Sequence, residues 1–165
     1  MSMIGEYLRI APSGLRRALE DPQWALEYVE QTQDSEDPYG RPPKDAMQFS
    51  TSKTWHMLGF LFTRLEFPVN VVYGEEPLAE DDWGYGPPRY LPAERVELAA
   101  RELGRISYDD LIRGVSHTEL AAAEIYPSRW DSPESLEWGR GYFKQLAHFF
   151  RTAAAAGDAI LVWID

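Results

Sequence analysis

Cysteine is absent from the 165 residues. That removes disulfides, thiol nucleophiles, thiolate zinc sites and iron–sulfur clusters from consideration. It also accords with a reducing cytoplasm, the compartment expected for this chain. Positive charge is scarce: Lys and Arg number 16 against 27 Asp and Glu, a formal net charge of −11. Such a surface repels phosphate backbones and anionic lipid, so neither nucleic acid nor a membrane surface is an expected partner. No uninterrupted apolar run approaches the roughly 20 residues of a membrane span. The start of the chain has no basic segment leading into an apolar one, so no signal peptide is expected. Histidine occurs three times, as His56, His117 and His148, and no two stand at a metal-ligating helical or strand spacing. His117-Thr118-Glu119 sets two ligand types two residues apart, too little for a site. No metal and no cofactor are expected. No serine lies in a Gly-x-Ser-x-Gly context, and no catalytic residue is assigned.

What is abundant is aromatic: 13% of the chain, with six tryptophans. One domain over residues 1–165 suits the length. Met3–Ile10 reads as a strand, Leu15–Glu20 as a short helix, and Asp21-Pro22 as the start of a second. The polar, proline-rich stretch at about 31–47 is expected to be a mobile surface loop. Thr51–Leu65 has helical periodicity, with Trp55, Leu58, Phe62 and Leu65 on one stripe, and His56 about 100° round in line with Phe60 and Arg64. Gly59 within it predicts a close approach by another element. Val69–Tyr73 reads as an interior strand ending at Gly74. Pro92 opens a helix to Gly104, and short helices follow over Tyr108–Ile112 and Thr118–Ala123. Ser132-Pro133 caps the longest helix, which Gly157 ends. Ala159–Ile164 is a continuous apolar run, the pattern of a strand buried on both faces. The expected class is α+β: a small mixed or antiparallel sheet packed with several helices, with a long C-terminal helix before a buried terminal strand.

The densest cluster of special residues is Trp83-Gly84-Tyr85-Gly86-Pro87-Pro88-Arg89-Tyr90-Leu91. Its Gly-x-Gly is a poor phosphate cradle, because Pro87 and Pro88 offer no amide hydrogens. The prolines stiffen the loop and fix where Arg89 points. An arginine held beside aromatics suits an anionic ligand group or an internal carboxylate. Two candidate sites follow. One is a ligand pocket formed by Trp55, His56, Tyr85, Arg89 and Tyr90. The other is a partner surface formed by Glu75, Glu76, Glu80, Asp81, Asp82 and Trp83, whose expected partner is a basic protein.

Several stretches together resemble the YfbM-like proteins of bacteria, the group of unknown function called DUF1877. They are Met3-Ile4-Gly5, Trp55-His56, Ala122-Ala123-Glu124-Ile125-Tyr126-Pro127 with Trp130, Tyr85 to Leu91, and Gly157 to Asp165. Ser2 and Gly59-Phe60 depart from that pattern, the latter where a second histidine is expected. The resemblance implies an α+β single domain of this length and no established activity. By analogy with small acidic bacterial domains, the first functional expectation is a non-catalytic interaction domain, as in an immunity protein that neutralises a basic toxin or enzyme. The alternative is a small-ligand-binding protein or enzyme built round Arg89, His56 and neighbouring aromatics.

Overall fold

The computed structural model describes residues 2–35 and 46–165. Among these residues, five strands form one antiparallel open sheet in the order β2-β1-β5-β4-β3. In chain order they are β1 (Gly5–Ile10), β2 (Gln48–Ser52), β3 (Glu76–Pro77), β4 (Arg89–Leu91) and β5 (Ala159–Ile164). The chain is α+β, with its last strand at the centre of the sheet. β5 pairs with β1 from Gly5↔Ile164 to Ile10↔Ala159, and with β4 from Arg89↔Val162 to Leu91↔Ile160. That central place explains the continuous apolar run, since both faces of β5 are covered.

Alternation along the strands divides the core in two. Leu8, Ile10, Leu161 and Trp163 face α1 (Pro12–Glu20) and α2 (Pro22–Ser35). Tyr7, Leu91, Ile160 and Val162 face the larger helical layer. That layer contains α3 (Trp55–Arg64), α4 (Ala93–Leu103), α5 (Tyr108–Ile112), α6 (His117–Ala122) and α7 (Trp138–Ala156). Val96, Ala99 and Leu103 of α4 and Leu146, Phe150 and Ala153 of α7 are buried in one cluster, and these two helices make the most extensive helix pair. No helix among the described residues is long and apolar enough to cross a membrane.

The local signals have visible partners. Pro12 and Pro22 stand at first helical positions. Asp21 Oδ1 accepts the Trp24 amide at 3.1 Å. Gly157 closes α7 in the left-handed region, at φ 74°. Gly59 is where the Tyr73 ring rests on α3: a Cβ there would come within 3.0 Å of the ring and its hydroxyl.

Four expectations need correction. Val69–Tyr73 is buried as expected at Val69, Val71 and Val72, but it is a turn and not a strand. Asn70 Oδ1 takes the Tyr73 amide at 3.0 Å, and the Asn70 carbonyl takes that of Gly74, which sits at φ 77°. These local bonds outcompete β pairing. The stretch placed in a loop at about 31–47 begins inside α2, which runs to Ser35; residues 36–45 lie outside the described residues. The helix expected from Thr51 begins only at Trp55, because Thr51 and Ser52 belong to β2, an edge strand whose polar sequence, Gln-Phe-Ser-Thr-Ser, gave no apolar signal. Phe49 nevertheless anchors β2, at 5.6 Å from both Tyr7 and Phe149. Finally, Ser132 caps a 3₁₀ turn over Pro133–Glu137 that leads into α7, and its side chain makes no capping bond.

Candidate functional site

The sheet separates the residues of the first candidate site. Arg89 pairs with Val162 and shares its face, towards the larger helical layer, whereas Tyr90 pairs with Leu161 and packs with the α1/α2 cluster. Arg89 is also taken up locally: Nε donates to the Gly74 carbonyl at 3.3 Å and Nη2 to that of Glu75. It ties β4 to the preceding turn. Tyr85 is 44% exposed, and its amide donates to the Ile164 carbonyl at 2.9 Å. Trp83, expected on a partner surface, is buried instead and meets Trp163 edge to face at 5.5 Å. Its indole completes the smaller core. Of the acidic residues beside it, Glu75 is bound to Arg95 at 2.7 Å, and that hydrogen bond holds its carboxyl below the ordinary carboxylate range. Glu76, Glu80, Asp81 and Asp82 are exposed.

Trp55 and His56 stay together at the start of α3. Trp55 donates from Nε1 to the Met3 carbonyl at 2.9 Å and stacks on Tyr126 at 5.8 Å. Tyr126 in turn receives the Met3 amide on its hydroxyl at 3.0 Å. The Tyr126 amide donates to His56 Nδ1 at 2.9 Å. A ring nitrogen that accepts from a backbone amide carries no proton, so the neutral ring carries its proton on Nε2. Burial lowers the His56 pKa and reinforces the neutral form.

His56 lines a cleft of about 430 Å³ along the outer face of α3. Gly59, Phe60, Thr63 and Arg64 continue that wall, and Tyr73, Glu119 and Ile125 close the other sides. Helical geometry puts His56, Phe60 and Arg64 one turn apart on one face. Burial raises the Tyr73 pKa, so its phenol remains a hydrogen-bond donor. Arg64 and Glu119 form no ion pair with each other or with any described residue. A second cleft, of about 340 Å³, shares Gly59 and Thr63 with the first and extends towards Asn70 and Glu75. Sequence periodicity places Phe60 and Arg64 in line with His56. It supplies neither Tyr73, which has the pattern of a strand, nor Glu119, which stands out only beside His117. No group of three potential metal ligands occurs among the described residues.

One further titratable group escaped the sequence. Glu6 lies half-buried on β1 opposite Trp163. Burial, then the charge of Asp165, pushes its carboxyl from 4.5 up to about 7. A folded-state pKa above the unfolded one gives stability that is fully present below pH 4.5 and is lost as pH rises through about 7. Glu6→Gln should therefore match the wild type in acid and melt at a higher temperature at pH 8. Thermal melts across that range test this, and parallel curves would show that Glu6 ionises freely.

A family model, "Domain of unknown function (DUF1877)", matches residues 1–163. The crystal structure of YfbM from Escherichia coli, described as a protein of unknown function, is similar in fold. Its TM-score is 0.71 at 18% identity, over 98% of this chain and 99% of that one. No curated protein matches the chain significantly.

Proposed function

The chain belongs to the DUF1877 family, and on that footing we propose that it is a non-catalytic binding protein whose site is the cleft along α3. One observation carries this reading. His56 is oriented by the Tyr126 backbone on the wall of a cleft that gathers the Tyr73 phenol, Arg64 and Glu119 over an apolar floor of Phe60 and Ile125. Apolar concavities with a few convergent polar groups are where small ligands bind. This reading keeps Trp55 as a support for His56 and releases Arg89, Tyr85 and Tyr90 from the site.

The acidic reading, in which the chain is an immunity protein for a basic toxin or enzyme, has in its favour the exposed carboxylates of Glu76, Glu80, Asp81 and Asp82 and the charge of −11. It ranks second because Glu75 is already paired and Trp83 is internal. The lack of cysteine supports a cytoplasmic setting for either role.

A thermal-shift screen of metabolites against the wild type and Arg64→Ala tests the cleft. Arg64 is exposed, so the variant should fold normally. A ligand at 100 times its Kd stabilises by about 2.7 kcal/mol, which for this length is a rise of roughly 5–10 °C. Such a rise in the wild type, reduced in Arg64→Ala, is expected. Absence of any hit, or hits indifferent to Arg64, would contradict the proposal.

A further inference from the structure

We infer that the cleft along α3 takes a free α-amino acid with an apolar or aromatic side chain, an inference that rests on the cleft being a binding site. Some acids and arginines of this protein find one another, such as Arg95 with Glu75 and Arg140 with Asp109 and Glu137. Arg64 from α3 and Glu119 from α6 line one cleft and do not. The Arg64 guanidinium lies over Gly114, where an added Cβ would sit 3.3 Å from Nη2. A purely anionic ligand would answer Arg64 and face repulsion from Glu119. A purely cationic one would do the reverse. A zwitterion satisfies both, with its carboxylate on the planar fork of Arg64 and its ammonium on Glu119.

The rest of the lining agrees. Phe60 and Ile125 offer an apolar bed for a side chain. His56, with its proton on Nε2, and the Tyr73 phenol are neutral donors that suit a carboxylate oxygen without adding charge. At about 430 Å³ the cleft falls in the lower part of the range for small-ligand sites.

Titration calorimetry with L-phenylalanine and L-leucine, up to 10 mM, tests this directly. N-acetyl-L-phenylalanine lacks the ammonium charge, and L-phenylalaninamide lacks the carboxylate. Each should bind at least about tenfold more weakly than the parent, the worth of one charge-assisted hydrogen bond. Two exposed substitutions give a crossed signature. Glu119→Gln should weaken phenylalanine and its amide but not the N-acetyl compound. Arg64→Gln should weaken phenylalanine and the N-acetyl compound but not the amide. Equal affinity for all three compounds, or variants that do not discriminate among them, would overturn the inference. If neither amino acid binds while the metabolite screen yields an Arg64-dependent ligand of another class, the amino-acid inference fails and the cleft reading survives. If neither experiment finds a ligand, both fail.

Discussion

Replacing Asp158 by alanine should destabilise the protein by about 3–5 kcal/mol, the cost of removing one partner of a buried ion pair. Asp158 Oδ2 stands 3.0 Å from Arg9 Nε, and the two residues are 8% and 7% exposed. Arg9 is on β1, and Asp158 immediately precedes β5, so the pair ties the central strand of the sheet to its neighbour β1. The variant removes a carboxylate bonded to a buried guanidinium, and water cannot readily replace it there. Urea unfolding should show a lower midpoint with an unchanged slope. The double variant Arg9→Met/Asp158→Leu should recover most of the loss, because an apolar pair of similar volume avoids the desolvation of both ions. If Asp158→Ala alone costs under about 1 kcal/mol, the pair behaves as a solvent-screened surface bridge and is not buried between the strands.

Gly84→Ala should cost about 2–5 kcal/mol, by two separable effects. The residue sits at φ 89°, where a side chain is strained by roughly 1–2 kcal/mol. The added Cβ would also lie 2.8 Å from both Asp165 Cα and the Ile164 carbonyl oxygen, main-chain atoms that cannot swing aside. Forcing such a contact costs a further 1–3 kcal/mol or so. Gly86 separates the terms, since it stands at φ 124° with nothing within 4 Å of a Cβ. Gly86→Ala should therefore show the conformational strain alone. Gly141, inside α7 with open space around it, should be stabilised by Ala, by about 1 kcal/mol. Chemical denaturation of the three variants side by side tests this ranking: Gly84→Ala lowest, Gly86→Ala intermediate, Gly141→Ala above the wild type. A Gly84→Ala no worse than Gly86→Ala would mean that the loop does not pack on the end of β5.

Much of the framework was legible because the residues that build it act locally. Asp21-Pro22, Gly157 and the period of α7 need only neighbours a few positions away. The apolar run of β5 announced its burial because a central strand has no polar face to show. β2 gave no such sign: its polar residues tolerate an edge, and only Phe49, gripped by Tyr7 and Phe149, commits it to the sheet. Val69–Tyr73 misled because β-branched residues report burial as much as strand geometry, and Asn70 with Gly74 decided the conformation. The loop around Arg89 misled in another way. Its unusual composition suggests a binding surface, and composition alone could not show that three of its residues close the sheet: Trp83 goes into the core, Arg89 onto two carbonyls and Gly84 against β5. The α3 cleft was half visible. The helical repeat lined up His56, Phe60 and Arg64, but the opposing walls come from Tyr73 and from the Glu119–Ile125 stretch. Their approach depends on Gly59 and on the Tyr126 amide, a relation 70 residues apart in sequence.

The reading of the cleft depends on His56 being locked by that amide as a neutral ring with its proton on Nε2. Nitrogen-15 NMR of the histidine rings, followed from pH 8 down to pH 5, measures both points at once. The account predicts an Nε2–H tautomer for His56 and a titration midpoint below 6.5, with Nε2 shifting when a cleft ligand is added. Because its folded-state pKa is lowered, the stability His56 contributes should hold above about pH 6.5 and fade as pH falls through that midpoint. An Nδ1–H tautomer, or a ring already charged at pH 7, would contradict the account.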